Sequence, residues 1–307
     1  MPSIGIHASH EQIAPSALLA AMRDAEAAGF ERAWSSDHFS PWSERQGESG
    51  FAWSWLGAAM QATAMPFGVV NAPGQRYHPA IVAQAAATLA ELFPGRLQVA
   101  LGTGEFSNEH ITGEPWPRKE IRNARLRECV DVIRALFAGE VVDHDGLVTV
   151  DRARLWTLPD EPPPLLATAV SVETAAFAGE WADGLITINQ PREHLERMLA
   201  AFREHGGEGK PVAVQVHLSW AESEDEALRI AHDTDFGLAA AVWTADLGRA
   251  HRMSRRLRAG TVWVNCYEEG DMTVPFGGVK LSGSGRDKSR HALDQYTALK
   301  TTWIAYG

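Results

Sequence analysis

The run Ser219-Trp220-Ala221-Glu222-Ser223-Glu224-Asp225-Glu226-Ala227-Leu228-Arg229-Ile230-Ala231-His232-Asp233-Thr234-Asp235-Phe236-Gly237-Leu238 divides the 307-residue chain into two stretches of different character. Ser223 and Glu226 have the spacing of a capping box, so the acidic segment that follows is predicted to be a helix crossing the boundary. On the N-terminal side, short apolar runs alternate with amphipathic ones, the pattern of βα units in a parallel sheet. On the C-terminal side the charge balance changes. Residues 233–307 carry 10 Lys and Arg against 8 Asp and Glu, about +2, whereas the first 232 residues stand at about −13, for a total of −11. That asymmetry suits a composite chain with a first domain over residues 1–232 and a second over 233–307.

Working back from the boundary, predicted strands lie at Val212 to Leu218, Gly184 to Ile188, Leu165 to Val170, Leu97 to Leu101, Pro66 to Asn71, Arg32 to Ser36 and Ser3 to Ala8. Helices separate them. One from Pro15 to Ala28 ends at Gly29, one from Pro79 to Leu92 is closed by Pro94-Gly95, and Arg118 to Gly139 puts Leu126, Val130, Ile133 and Phe137 on one stripe. Val141 to Leu158 breaks the rhythm with a hairpin around Asp145-Gly146. The count is seven βα units, and a closed (β/α)₈ barrel needs eight. Working forward, Ala239 to Trp243 is a predicted strand, followed by a helix with Leu247, Ala250, Met253 and Leu257 on one side. Then come the strand Thr261-Val262-Trp263-Val264, a short helix from Ser289 to Thr297 and a last strand from Leu299 to Ala305. The fold expected is therefore α/β, a TIM-like barrel truncated after about seven units. TVWV is expected at the eighth strand position, the alternative being a fragment folded beside an open barrel.

Composition bounds the function. Hydrophobic content of 45% with 22% charged residues and no low-complexity tract is that of a soluble globular protein. Two cysteines, Cys129 and Cys266, form no disulfide framework, and MPSIGIHASH lacks the features of a signal peptide, so a cytoplasmic location is expected. No apolar run reaches membrane-spanning length, and the acidic balance argues against nucleic acid as a partner. Arg249, Arg252, Arg255, Arg256 and Arg258 recur at helical spacing and read as a solvated helix face.

Catalytic groups of such barrels come from the C-terminal ends of strands. The second strand runs into Asp37-His38-Phe39-Ser40-Pro41-Trp42, the third into Asn71-Ala72-Pro73-Gly74-Gln75-Arg76-Tyr77-His78-Pro79, and the fourth into Gly102-Thr103-Gly104-Glu105-Phe106-Ser107-Asn108-Glu109-His110. A histidine can exchange protons near neutral pH and an indole can stack on a flat ring. Taken alone, His38 is more often structural, Pro73-Gly74 and His78-Pro79 are turn punctuation, and Glu105 is a rim carboxylate. Taken together and in order, these motifs resemble luciferase-like flavin oxidoreductases, especially the branch similar to deazaflavin-dependent sugar-phosphate dehydrogenases. The resemblance covers roughly residues 2–233. It implies His38 and Glu105 as proton-handling groups and Trp42 as a substrate contact. It places a flavin against Asp37, Asn71, Ala72, Gly104 and Asn108, with a non-proline cis bond in the bulge after the third strand. Phosphate is expected at Thr168-Ala169-Val170-Ser171, which opens a helix, and near Asn189 and Arg192. Asn189-Gln190-Pro191-Arg192 stands where the deazaflavin branch carries a Gly-Lys-type segment, which favours FMN, with a deazaflavin coenzyme as the alternative. No metal site is expected.

DTDFGLAAAVWTADLGRAHRMSRRLRAGTVWVNCY, PFGGVKLSGSGRD and ALDQYTALKTTWI resemble the C-terminal part of NAD-dependent aldehyde dehydrogenases of the aminoaldehyde type. That chemistry needs a nucleophilic cysteine, a base and a nucleotide-binding domain. None of those segments is present, and the VNCY context of Cys266 does not match the family's nucleophile motif. Three functions are thus expected in descending order: a flavin-dependent oxidoreductase acting on a small molecule, hydride transfer or oxygenation alike; an inactive fusion product whose tail mediates association; and aldehyde dehydrogenase activity. The resemblance also implies a homodimer or other homo-oligomer.

Overall fold

The computed structural model describes residues 2–216, 218, 220–267 and 270–307. His217 and Ser219, in the expected strand Val212 to Leu218 and at the head of the boundary run, lie outside the described residues. The chain falls into two compact units, Met1–Ile188 with Glu196–Gln215 and Asn189–Leu195 with Val216–Gly307.

The first unit is a parallel α/β barrel one strand short of eight. Its elements are β1 (Gly5–Ala8), α1 (Pro15–Ala27), β2 (Arg32–Ser36), α2 (Ala52–Ala62), β3 (Phe67–Asn71), α3 (Pro79–Leu92), β4 (Leu97–Leu101), α4 (Phe106–Glu109) and α5 (Lys119–Phe137). There follow the hairpin β5 (Val142–Asp145) and β6 (Thr149–Ala153), then β7 (Leu165–Thr168), α6 (Val172–Gly179), β8 (Leu185–Ile188), α7 (Arg192–Phe202), which counts in this unit from Glu196 on, and β9 (Val212–Gln215). Seven strands pair in the order β1-β2-β3-β4-β7-β8-β9, every neighbouring pair parallel. The sheet strands match the seven expected runs, most of them trimmed by one to three residues.

Burial explains the layers. The stripe Leu126, Val130, Ile133 and Phe137 of α5 is buried, joining Phe67, Val69, Leu89, Leu97, Val99 and Leu101 in the core between sheet and helices. A smaller cluster of Trp34, Ala100, Leu166 and Ile186 fills the barrel interior, with Val70 and Ala213 packed on it. The Trp34 indole lies over Gly68, where a Cβ would come within 2.3 Å of the ring, so only glycine leaves room for the plug. Local signals set the ends: Pro79 opens α3, with His78 Nδ1 accepting from Ala80 N–H at 3.2 Å, and Ser171 caps α6 by accepting from Thr174 N–H. No described helix is long and apolar enough to cross a membrane.

The second unit holds α8 (Glu224–His232), β10 (Phe236–Gly237), β11 (Ala239–Val242), α9 (Leu247–Arg256), β12 (Thr261–Val264) and β13 (Val279–Lys280). The expected cap is present, Ser223 Oγ accepting from Glu226 N–H at 3.2 Å. Three expectations are corrected here. The TVWV strand is not an eighth barrel strand: as β12 it pairs in parallel with β11, register Ala239↔Thr261 to Val242↔Val264, in a two-stranded sheet of its own. The intervening α9 is the crossover such a pair needs, so the nearest strand in sequence satisfies the backbone of TVWV. The expected last strand, Leu299 to Ala305, is irregular, and the expected Ser289 helix is a short 3₁₀ turn, Arg290–Gln295. A strand without a neighbour has nothing to hold it extended. The arginines of α9 turn largely to α8: Arg249 and Arg252 bond the Glu224 carboxylate at 3.2 and 2.7 Å, and Arg256 bonds Asp225.

Candidate active site

The strand ends of β1 to β4 carry an interlocked set of side chains. Beyond β2, the buried Asp37 accepts from Asn71 Nδ2 at 2.6 Å and from the Tyr77 hydroxyl at 3.2 Å, while its backbone carbonyl accepts from Arg76 Nη2 at 2.6 Å. Burial raises the Asp37 carboxyl, with Arg76, Asn71 and Tyr77 pulling the other way. Arg76 also spans to Glu109: its backbone N–H donates to Oε2 at 2.8 Å and its Nε lies 3.4 Å from Oε1. Tyr77 is raised by burial and by the neighbouring Asp37 charge, so it stays a donor.

His38 sits at the edge of this set. Its Nδ1 lies 2.6 Å from Glu11 Oε1, and the side chains are 20% and 2% exposed. Burial works against charge on Glu11, but the hydrogen bonds from His38 and from Ser9 Oγ at 2.7 Å outweigh it and hold the carboxyl well below its ordinary range. An ionised carboxylate only accepts, so Nδ1 carries the proton and Nε2 is the ring atom left for another group. Trp42, 62% exposed, meets the His38 ring edge-on at a centroid distance of 5.1 Å. Glu105 stands at an exposed position past β4, where partial burial raises its carboxyl and the nearby His38 opposes that.

The remaining residues fall into three groups. Asn108 is buried and its Oδ1 accepts from Phe39 N–H at 2.9 Å and Ser40 N–H at 3.1 Å, pinning the loop that carries His38. Gly104, at φ +76°, turns the β4 loop where a Cβ would meet Glu109 and Ala72 at 2.9 and 3.2 Å. Thr168 ends β7 against Gly102, Ala169 is buried, Val170 is 58% exposed and Ser171 caps α6. Asn189 and Arg192 belong to the second unit and are exposed there. Every described peptide bond is trans, which corrects the expected cis bond after β3. The turn is made instead by Gly74 at φ +110°, its N–H donating to Tyr77 O at 2.7 Å.

Sequence reasoning passed over Glu11, Arg76, Tyr77 and Glu109. Glu11 follows the end of β1, and the rule that strand ends carry the chemistry would have singled out Ser9-His10-Glu11. Arg76, Tyr77 and Glu109 lay inside runs already read as turn or rim, where nothing local shows that they reach Asp37 or one another.

A profile of the luciferase-like monooxygenase family matches residues 2–289. The chain belongs to that family. Over 209 residues it is 43% identical to an F420-dependent glucose-6-phosphate dehydrogenase of Beutenbergia cavernae, a match covering 66% of this chain and 62% of that enzyme. The chain thus spans less than two thirds of that relative's length. Among solved structures, an F420-dependent secondary alcohol dehydrogenase in complex with an F420-acetone adduct superposes with a TM-score of 0.69 at 36% identity, covering 74% of this chain and 72% of that one. A second kind of relative matches over a shorter length: an 83-residue segment is 68% identical to the NADP/NAD-dependent aldehyde dehydrogenase PuuC of Escherichia coli K12, 27% of this chain and 17% of that enzyme. A luciferase-like family member therefore also carries an aldehyde dehydrogenase-like segment.

Proposed function

We propose that the strand-end site of the first unit binds a deazaflavin coenzyme and serves an oxidoreductase acting on a small alcohol or its carbonyl counterpart. The observation that carries this reading is His38, partly exposed at the mouth with Nδ1 committed to an ionised Glu11 and Nε2 left over. The residues present fit a flat polar ring with an apolar face. Phe39, Trp42, Phe106 and Val170 are all more than half exposed at the strand ends, and Asn71 Oδ1 is buried there with no partner among the described residues. The identities of 43% and 36% with proteins named F420-dependent support a deazaflavin over FMN, which the Asn189 to Arg192 segment alone had favoured.

When bound, such a coenzyme supplies a hydride acceptor or donor. The protein's own groups do the rest. His38 Nε2 takes the proton of a substrate hydroxyl, and Glu11, which cannot take the Nδ1 proton while its carboxyl is held so low, stabilises the charged ring that results. Trp42 covers the substrate from the His38 side. Glu105, with its raised carboxyl, is a second proton-handling group on the opposite loop. Asp37, Asn108 and Arg76 hold the loops.

The seven-stranded sheet favours a second reading, a fusion product that keeps the fold but has lost ligand affinity with the missing unit. Equilibrium titration with F420 and with FMN, followed by absorbance and fluorescence, separates the two. The first reading expects saturable binding of F420, stronger than FMN. Absence of binding by both would leave the second.

A further inference from the structure

The sheet of the first unit is covered strand by strand on its outer side, except at its last strand. Residues facing the outer helices are buried on β3 (Phe67, Val69), on β4 (Val99, Leu101) and on β7 and β8 (Leu165, Leu185), none more than 2% exposed. On β9 the alternation continues, Ala213 packing on the interior cluster and Val212 and Val214 turning outward, but these two valines are 37 and 41% exposed. The same strand is open along one edge. Among the described residues β9 pairs with β8 and β1 with β2, so each has a single neighbour. Leu185 N–H donates to Pro211 O at 2.9 Å, and the parallel register runs from Leu185↔Val212 to Ile188↔Gln215. That register turns the amides of Ala213 and Gln215 to β8 and leaves those of Val212 and Val214 on the free edge.

We propose that this open flank is a docking surface for a βα segment of another polypeptide, its strand pairing in parallel with β9 and its helix lying over Val212 and Val214. Three observations select that occupant. A bare edge by itself accepts any extended peptide, whereas the uncovered outer valines call for a helix as well. Every neighbouring pair in the sheet is parallel, and parallel strands come joined to crossover helices rather than to tight turns. A closed barrel needs eight units and seven are here, while the 43% identical relative has chain outside its match to this one, which covers 62% of that enzyme. Free amides and apolar side chains on one flank are thus satisfied together by one unit of the kind the barrel is already built from.

The contact does not depend on the redox reading and is tested without any cofactor. The probe is the polypeptide of the Beutenbergia cavernae enzyme that follows the C-terminal end of the match, dye-labelled and titrated with the full chain by fluorescence anisotropy. Val214→Pro removes an amide from the free edge and keeps the bonds to β8, as an edge position allows. Val214→Lys sets a charge where the docked helix would lie, and Trp303→Lys alters the exposed terminal segment instead. The expected result is saturable binding of one segment per chain, weakened at least tenfold in both Val214 variants with an unchanged far-ultraviolet circular dichroism spectrum, and undiminished in Trp303→Lys. A parent that does not bind the segment at its highest attainable concentration overturns the proposal. So does equal binding of a scrambled segment, binding that persists in both Val214 variants, or binding lost only in Trp303→Lys. A parent that is already a dimer, dissolved by Val214→Pro, overturns it too, because the edge would then be taken by a second copy.

Discussion

The two units of this chain are very unequal in what they bury. Among the described residues, 216–307 contribute only Leu228, Ala250 and Met253 to the buried apolar side chains, all the others lying in the first 202 residues. The same tail leaves Trp220, Trp243, Leu247, Met272, Leu281, Tyr296, Leu299, Trp303 and Tyr306 more than 60% exposed. An 83-residue match at 68% identity covers only 17% of the enzyme it resembles. The second unit thus presents an apolar pattern that its own two short two-stranded sheets and two helices leave uncovered. The first unit has a dense core. Local resemblance records ancestry; burial decides which unit has the cooperative stability.

The sharpest way to break this contrast is a pair of tryptophans. Trp34→Ala removes the plug of the barrel interior and is expected to cost about 3–5 kcal/mol in urea denaturation. Trp303→Ala, at a side chain 90% exposed, is expected to change stability by no more than about 0.5 kcal/mol. Comparable losses in both would mean that the tail has a core of its own.

The second effect is a pH dependence located in the first unit. Burial lowers His10 from 6.5 to about 4, so between those values the unfolded chain binds a proton that the folded one refuses. Stability is then expected to fall by ~3 kcal/mol as pH drops through that window. Glu11 adds to the loss below about 4.5, its ordinary value, because a carboxyl held low in the folded state contributes stability only while ionised. Denaturation of His10→Gln across this range should give a flatter acid limb than the parent; an identical slope would show that His10 is not kept neutral.

A smaller loss is expected for Gly68→Ala, about 1–3 kcal/mol, because the added methyl must displace the Trp34 ring. Smaller still, and confined to the tail, is the effect of Glu224→Ala. It removes the partly exposed carboxylate shared by Arg249 and Arg252, and the denaturation midpoint of the barrel should not move. Amide exchange offers a view of both units at once. Exchange in α8, α9 and β12 should outpace that in β3, β4 and α5, and equal protection would erase the distinction.

Much of the barrel was legible beforehand because its signals are local. The expected strands Arg32 to Ser36 and Leu97 to Leu101 are β2 and β4 to the residue, and the Leu126 to Phe137 stripe marks the buried face of α5. The boundary helix could be read from Ser223 and Glu226 alone. What could not be read was pairing. TVWV is unmistakably a strand, but whether it joins the barrel or β11 depends on which partner lies nearest after α9 has crossed over, and periodicity carries no such information. The site divides the same way. Asp37, His38 and Glu105 were visible as strand-end residues, whereas the Glu11–His38 pair joins positions 27 apart, and the Arg76 bridge to Asp37 and Glu109 spans 39 and 33. Asn108 was expected at a ring and is found holding the His38 loop, a use that depends on where two loops cross.

The most direct test of the redox reading is spectroscopic. The full chain, mixed with oxidised F420 and a panel of small secondary alcohols, is followed at the visible band of the deazaflavin, beside His38→Ala. Bleaching of the band by the parent, slowed about a hundredfold or more in His38→Ala, is the predicted result. Coenzyme that binds and is never reduced by any alcohol, or bleaching that proceeds equally fast without His38, would contradict it.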